Sequence, residues 1–290
     1  MLAFQEISIE RAIGDKRLRL SWEPRISAQT LGLCGVHGIL QIRSANGCWI
    51  DAEPMAMFSL RQLSVVWKWK LAQMKEVFSR LSCHLIQRPP GSNDFSVSLN
   101  LLPKQLYSDD WAVQLLDMAA AAGIPGSRIE IELLEHDDCI NSLYVDWSFH
   151  ALHNCGIRLV LANFPCGYHH LQRLIRHEFD KIIVIPSLLP CTSEPPAALS
   201  KRKALLNGVI HAIRGVGAKT ILDRINNDLQ FCFFSELEVA EGRGAYWGAP
   251  VETQDIPHLL SRLQKPTGGI DSPVVHSDTH KDHNFPCMRR

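Results

Sequence analysis

Residues 158–189 read RLVLANFPCGYHHLQRLIRHEFDKIIVIPSLL, and this stretch sets the frame for the whole chain. RLVLAN is a short apolar run rich in strand-forming residues, and the Pro165-Cys166-Gly167 that follows breaks it. Residues 167–177 then place Leu171, Leu174 and Ile175 at helical spacing, which predicts a helix. Lys181 to Ile185 is a second buried-strand candidate. The stretch therefore reads as strand, loop, helix, strand.

Composition narrows the field around it. A chain of 290 residues with 46% hydrophobic content can bury a full core as one large domain. Thirty basic and thirty acidic residues balance to a formal charge of +0, which argues against a dedicated nucleic-acid binder. The N-terminus, MLAFQEISIERAIGDKRLRL, has acids in its first ten residues and no continuous apolar core, so it does not read as a signal peptide. No run approaches the ~18 apolar residues a membrane span needs. Nine scattered cysteines without a CxxC pair suit reduced thiols and a cytoplasmic protein.

Outward from the central stretch, Ser59 to Leu81 carries apolar residues three and four apart and predicts a long amphipathic helix. Trp67 lies on its apolar stripe and reads as core. Trp69 lies off it and is a candidate partner contact. Phe95 to Leu101 alternates apolar residues with Ser96, Ser98 and Asn100, the pattern of a half-buried strand. A helix follows from Trp111 to Ala122 with Gly123 as its stop, and Ile129 to Glu135 alternates again. Ser187 to Pro196 reads as a loop, Ala197 to Arg214 as a helix ending at Gly215, and Pro257 to Leu263 as a short closing helix. Residues 1–16 read as a lead-in and 17–264 as one domain. From Lys265 the composition shifts to Pro, Gly, Ser, Asp and His without periodicity, so 265–290 reads as a disordered tail. His276, His280, His283 and Cys287 lack the tight paired spacing of a zinc site.

The order and spacing of these segments resemble the EAL domain, the bacterial cyclic-di-GMP phosphodiesterase family, over roughly residues 17–264. The resemblance implies an α/β fold, a TIM-like (β/α)8 barrel of EAL type. In the family the central stretch reads roughly ALDDFGTGYSSL and then KID. Here Ala162 and Asn163 fall on the paired aspartates, Pro165 on the loop glycine, Ile183 on the lysine and Ile185 on the last aspartate, while Gly167-Tyr168 is kept. Leu18 to Glu23 with Pro24 resembles the opening strand, and Val36 to Leu40 stands where the family reads VEALL. That puts His37 on the name-giving glutamate and Gln41 on a dinucleotide-contacting arginine. A lone histidine on an apolar strand is more often structural than a metal ligand. Asn100 and Glu132 fall on metal-ligand positions, and Glu135 on a loop-steadying glutamate. Asp223 keeps an acid in the strand from Lys219 to Asp223. Residues 243–250, RGAYWGAP, resemble QGYLFGRP, with Arg243 on the ligand-contacting glutamine.

What the resemblance implies about chemistry follows from these departures. Hard divalent cations want carboxylate oxygens, and of the family's carboxylate ligands only Glu132 is kept. Isoleucine at 183 cannot exchange a proton. The expectation is a degenerate, non-catalytic EAL-like regulator with no bound metal or cofactor, acting on another bacterial regulatory protein in transcription, motility or biofilm control. No nucleic-acid or membrane contact is expected. Asn100, Glu132, Glu135, Asn163 and Asp223 are then vestiges of the family pocket. Trp69, Arg173, Arg176 and Arg243 are candidate contacts, although a basic helix such as the one bearing Arg173 and Arg176 is often just a solvated face. Two further readings stay open: a receptor that binds cyclic di-GMP without cleaving it, and a hydrolase using His37 and Asp223 with a softer metal.

Overall fold

The computed structural model describes residues 9–44, 46–52, 59–86, 95–107, 110–134, 143–166, 169–191 and 193–263. Glu135, Gly167-Tyr168 and the histidine-containing tail lie outside them.

After α1 (Ile9–Gly14) the chain forms β1 (Leu18–Ser27), β2 (Leu33–Arg43), β3 (Trp49–Asp51) and α2 (Leu60–Ile86). Then come β4 (Ser96–Leu101), α3 (Trp111–Ala122), β5 (Ile129–Leu133), α4 (Leu143–Asn154), β6 (Arg158–Phe164) and α5 (His169–Arg176). β7 (Lys181–Val184), α6 (Pro196–Gly215), β8 (Lys219–Leu222), α7 (Asp228–Glu236), β9 (Glu241–Arg243) and α8 (Ile256–Leu263) complete it. The strands run in the order β1-β9-β8-β7-β6-β5-β4-β2-β3, and β1 also pairs with β2, so the sheet closes into an eight-stranded barrel with β3 outside the closure.

From β2 round to β9 neighbouring barrel strands are parallel, as helix crossovers require. β1 departs from the (β/α)8 expectation and runs antiparallel to both neighbours. The reason is local: the link from Ser27 to Leu33 is too short for a crossover and makes a hairpin. That hairpin sets Glu23 opposite His37 and Arg25 opposite Gly35, a register on which the lumen depends.

Helices cover the outside. On α2, Trp67 is buried; its Nε1–H donates to the Trp111 carbonyl at 3.0 Å, and the two indoles meet edge to face. Trp69 departs from the solvent-facing expectation: it is half-buried and packs on the core, because α2 is covered on more than one flank. Gly123 ends α3 at φ 63°, sending its N–H to the Ala119 and Ala120 carbonyls. On α5 the inward places go to His170 and Arg173 with Leu174 half-buried, whereas Leu171 and Ile175 face solvent. Arg173 is thus buried rather than solvated, and Arg176 pairs with Asp146 of α4 at 2.7 Å.

Candidate functional site

Inward positions alternate along each barrel strand, which stacks the lumen in layers. At the N-terminal end Arg25 and Glu130 are fully buried. The Arg25 guanidinium donates to Glu130 and to Ser96 Oγ, and its Nε lies 3.4 Å from Glu241. Lys181 Nζ donates to Glu130 at 2.7 Å and to Glu241, while Ser96 Oγ donates to Glu130 at 2.6 Å. Gly35 makes this possible: a Cβ there would sit 2.6 Å from Arg25 Nη2 and 2.5 Å from the Ser96 carbonyl oxygen. Burial alone would raise the Glu130 carboxyl, but Arg25 and Lys181 overrule it and hold it well below the usual carboxylate range.

The next layer is built on Glu132 of β5, also fully buried. Its two oxygens accept from Arg243 Nη1 of β9 at 2.9 and 3.0 Å. Oε1 also accepts from Ser98 Oγ of β4 at 2.7 Å and lies 3.0 Å from His37 Nδ1 of β2. His37 Nδ1 also lies 2.9 Å from Ser98 Oγ, and its Nε2 lies 3.4 Å from the Asn100 amide nitrogen. Arg243 Nε donates to Asp223 Oδ1 at 2.8 Å and lies 3.7 Å from Glu23. One guanidinium therefore faces three carboxylates. Burial pushes the Glu132 carboxyl up, yet Arg243 and His37 hold it well below the ordinary range. Burial would lower Arg243, and Asp223, Glu132 and Glu23 raise it well above its usual value.

Across the lumen the wall changes character. Val160 and Ala162 of β6, Ile183 of β7 and Ile221 of β8 form a separate apolar cluster with Leu134 against it. Asn163, half-buried, sits at φ 61° within β6 where its pairing with β7 shifts register, and a cis peptide joins Phe164 to Pro165. His170 turns back under this loop, stacking on Phe164 and accepting from the Cys166 N–H at 3.1 Å. Gln41 accepts from Arg19 and Ser21, each at 2.9 Å, and donates to Asp51.

Of the pocket positions read from sequence, the fold thus gathers Asn100, Glu132 and Asp223 into one hydrogen-bonded unit, with Asn163 at the opposite rim. Arg243 is 6% exposed and committed to internal acids, rather than displayed as a contact. Glu23, Ser98 and the lower Arg25–Glu130–Lys181–Glu241 network were not singled out. Alternation within β1, β4 and β5 marks them as inward, but pairing across four strands depends on barrel closure. Among the described residues no three His, Cys, Asp or Glu side chains are grouped to hold a metal ion.

Glu23 carries a pH signature. Burial, aided by Asp223 and Glu132 and opposed by Arg243, pushes its carboxyl up to about 7 from 4.5. The folded state then binds the proton more tightly than the unfolded chain, so this group's contribution falls as pH rises from 4.5 through about 7. Glu23→Gln is expected to remove that fall, by at most ~1.4 kcal/mol per pH unit, and to raise the urea midpoint more at pH 8 than at pH 5. Equal changes at both pH values would show that Glu23 is ionised throughout.

The EAL domain family model matches residues 7–250. The chain is 22% identical over 258 residues to the uncharacterized protein sll1895 of Synechocystis, covering 88% of this chain and 36% of that protein. It is 20% identical over 260 residues to the oxygen sensor protein DosP of Escherichia coli, covering 88% and 31%. It thus spans about a third of the length of these curated relatives. Among solved structures, the EAL enzyme Bd1971 bound to cAMP and cyclic-di-GMP superposes with a TM-score of 0.74 at 17% identity, over 87% of this chain and 67% of that one. The PaMucR phosphodiesterase in complex with c-di-GMP superposes with a TM-score of 0.71 at 16% identity, over 86% and 98%. At these identities the structural likeness concerns the fold.

Proposed function

For this chain, which belongs to the EAL domain family, we propose the role of a regulatory domain that does not cleave cyclic di-GMP and acts by touching another protein, a bacterial regulator of transcription, motility or biofilm formation. The observation that carries this reading is that Arg243 Nη1 engages both carboxylate oxygens of Glu132. Two-metal phosphodiester cleavage needs carboxylates free to hold two dications about 4 Å apart. Glu132 has both oxygens on a guanidinium, with His37 and Ser98 also on Oε1. Asp223 and Glu23 face the same cation. Across the lumen Ala162 and Ile183 offer no donor. The residues present do not fit a pair of hard cations: a cation already sits among the acids, on a tether.

The experiment has two arms. Affinity capture of the full chain from bacterial extract, with mass spectrometry, should return a regulatory protein as a stoichiometric partner. Titration calorimetry with cyclic di-GMP should show no binding tighter than ~10 μM, about −7 kcal/mol. Tighter nucleotide binding without a protein partner would replace this reading with that of a non-hydrolysing receptor.

A further inference from the structure

We infer that Asn46, in the turn between β2 and β3, is a site of spontaneous main-chain modification. It loses ammonia to a succinimide shared with Gly47 and becomes a mixture of aspartate and isoaspartate. The co-reactant is water, and the inference stands apart from the protein-contact reading above.

The chain contains two Asn-Gly pairs, Asn46-Gly47 and Asn207-Gly208. Asparagine is among the thermolabile residues, and a following glycine favours its chemistry. The main-chain nitrogen of the glycine attacks Cγ of the asparagine, and a residue without a side chain leaves that approach open. The nitrogen gives its proton to hydroxide as the C–N bond forms. The side-chain nitrogen takes a proton from water and leaves as ammonia. Water then opens the imide: attack at Cγ gives aspartate, and attack at the main-chain carbonyl gives isoaspartate. The net change is one water in and one ammonia out, and nothing is oxidised or reduced.

The two pairs are alike in access. All four residues are exposed, and a Cβ at either glycine would meet nothing within 4 Å. They differ in backbone. Gly47 sits at φ 84°, and its N–H donates to the Ser44 carbonyl at 3.0 Å, the closing bond of a β-turn. Beyond it β3 is three residues long and lies at the end of the strand order, so freeing this nitrogen costs only local fraying. Asn46 Oδ1 accepts from the Cys48 N–H at 3.3 Å, and the Ser44 hydroxyl reaches both Oδ1 and the Cys48 carbonyl oxygen. A donor on Oδ1 stabilises the charge that collects there when Cγ is attacked.

Asn207 and Gly208 lie inside α6, a helix of 20 residues. There the Gly208 N–H belongs to the helical ladder. Freeing it means opening the middle of a cooperative element anchored by buried Leu206 and Ile210. The fold thus protects one pair and leaves the other reactive. Either product at 46 brings a carboxylate to the turn in which Arg43 Nε donates to the Gly47 carbonyl at 3.3 Å. Isoaspartate also adds a main-chain atom between Arg43 and Trp49, which face each other across β2 and β3.

The test incubates the full chain at pH 8 and samples it over time, with tryptic digestion under mildly acidic conditions. Peptides 44–61 and 204–214 each carry a single asparagine, so mass spectrometry follows the two sites separately. Electron-transfer fragmentation distinguishes isoaspartate from aspartate. Both products should accumulate in 44–61 at least about ten-fold faster than in 204–214, and the gap should close when the chain is incubated unfolded in urea. Equal rates in the folded chain would overturn the inference. So would a gap that survives unfolding undiminished, or aspartate at 46 without isoaspartate, which would mean direct hydrolysis rather than an imide.

Discussion

Arg25→Met is expected to destabilise the barrel by about 3–5 kcal/mol, because it strands buried carboxylates that have lost their main counter-ion. Glu130 is fully buried and Glu241 nearly so, and both face Arg25. Lys181 alone would remain to serve the pair, with Arg158 reaching Glu130 only from the edge at 3.3 Å. Methionine roughly fills the stem's volume, so the loss reports charge rather than a cavity. Urea unfolding followed by circular dichroism measures it, and a loss below ~1 kcal/mol would mean that Glu130 is not charged in the folded protein. Adding Glu130→Gln should recover part of the loss, since an unpaired buried charge costs more than an unpaired amide.

The second large effect is at the mouth. Arg243→Met leaves Glu132, Asp223 and Glu23 together without their shared cation, and a loss of about 2–4 kcal/mol is expected at pH 7.5. The sign of the pH dependence separates this from simple loss of packing. In the natural chain Glu132 is held below the ordinary carboxylate range, so its contribution is present above 4.5 and lost as pH falls through its folded value. Without Arg243 the acids repel one another and bind protons more tightly in the folded state, so the variant should gain stability, relative to the natural chain, as pH falls from 7.5 to 5. A deficit unchanged over that range would mean that the arginine serves packing alone.

The sequence made the frame of the fold legible where local patterns suffice. The alternation in 95–101 and 129–135 and the apolar spacing of α2 are period-two and period-3.6 signals that survive in almost any context. β1 was legible as a strand but not in its direction, which the short hairpin to β2 decides. α4 was passed over although Val145, Ser148, Phe149 and Leu152 form its buried stripe, and α7 although Asn227 caps it by accepting from the Gln230 N–H at 3.0 Å. The spacing of Leu171, Leu174 and Ile175 marked α5 as a helix but not which face turns inward: His170 and Arg173 take that face, and Leu171 and Ile175 are exposed. The site was legible position by position only through the resemblance. That Arg243 folds inward onto Glu132, 111 residues away in sequence, belongs to barrel closure and has no local signature.

The acids at the barrel mouth answer either to Arg243 or to metal ions. Crystals of the full chain grown with Mn²⁺ and cyclic di-GMP, with data collected at the manganese edge, decide this most directly. No anomalous peak within coordination distance of Glu132, with the Arg243–Glu132 pair intact, is the predicted result. Two ordered peaks about 4 Å apart at the mouth, with Arg243 swung off Glu132, would contradict it.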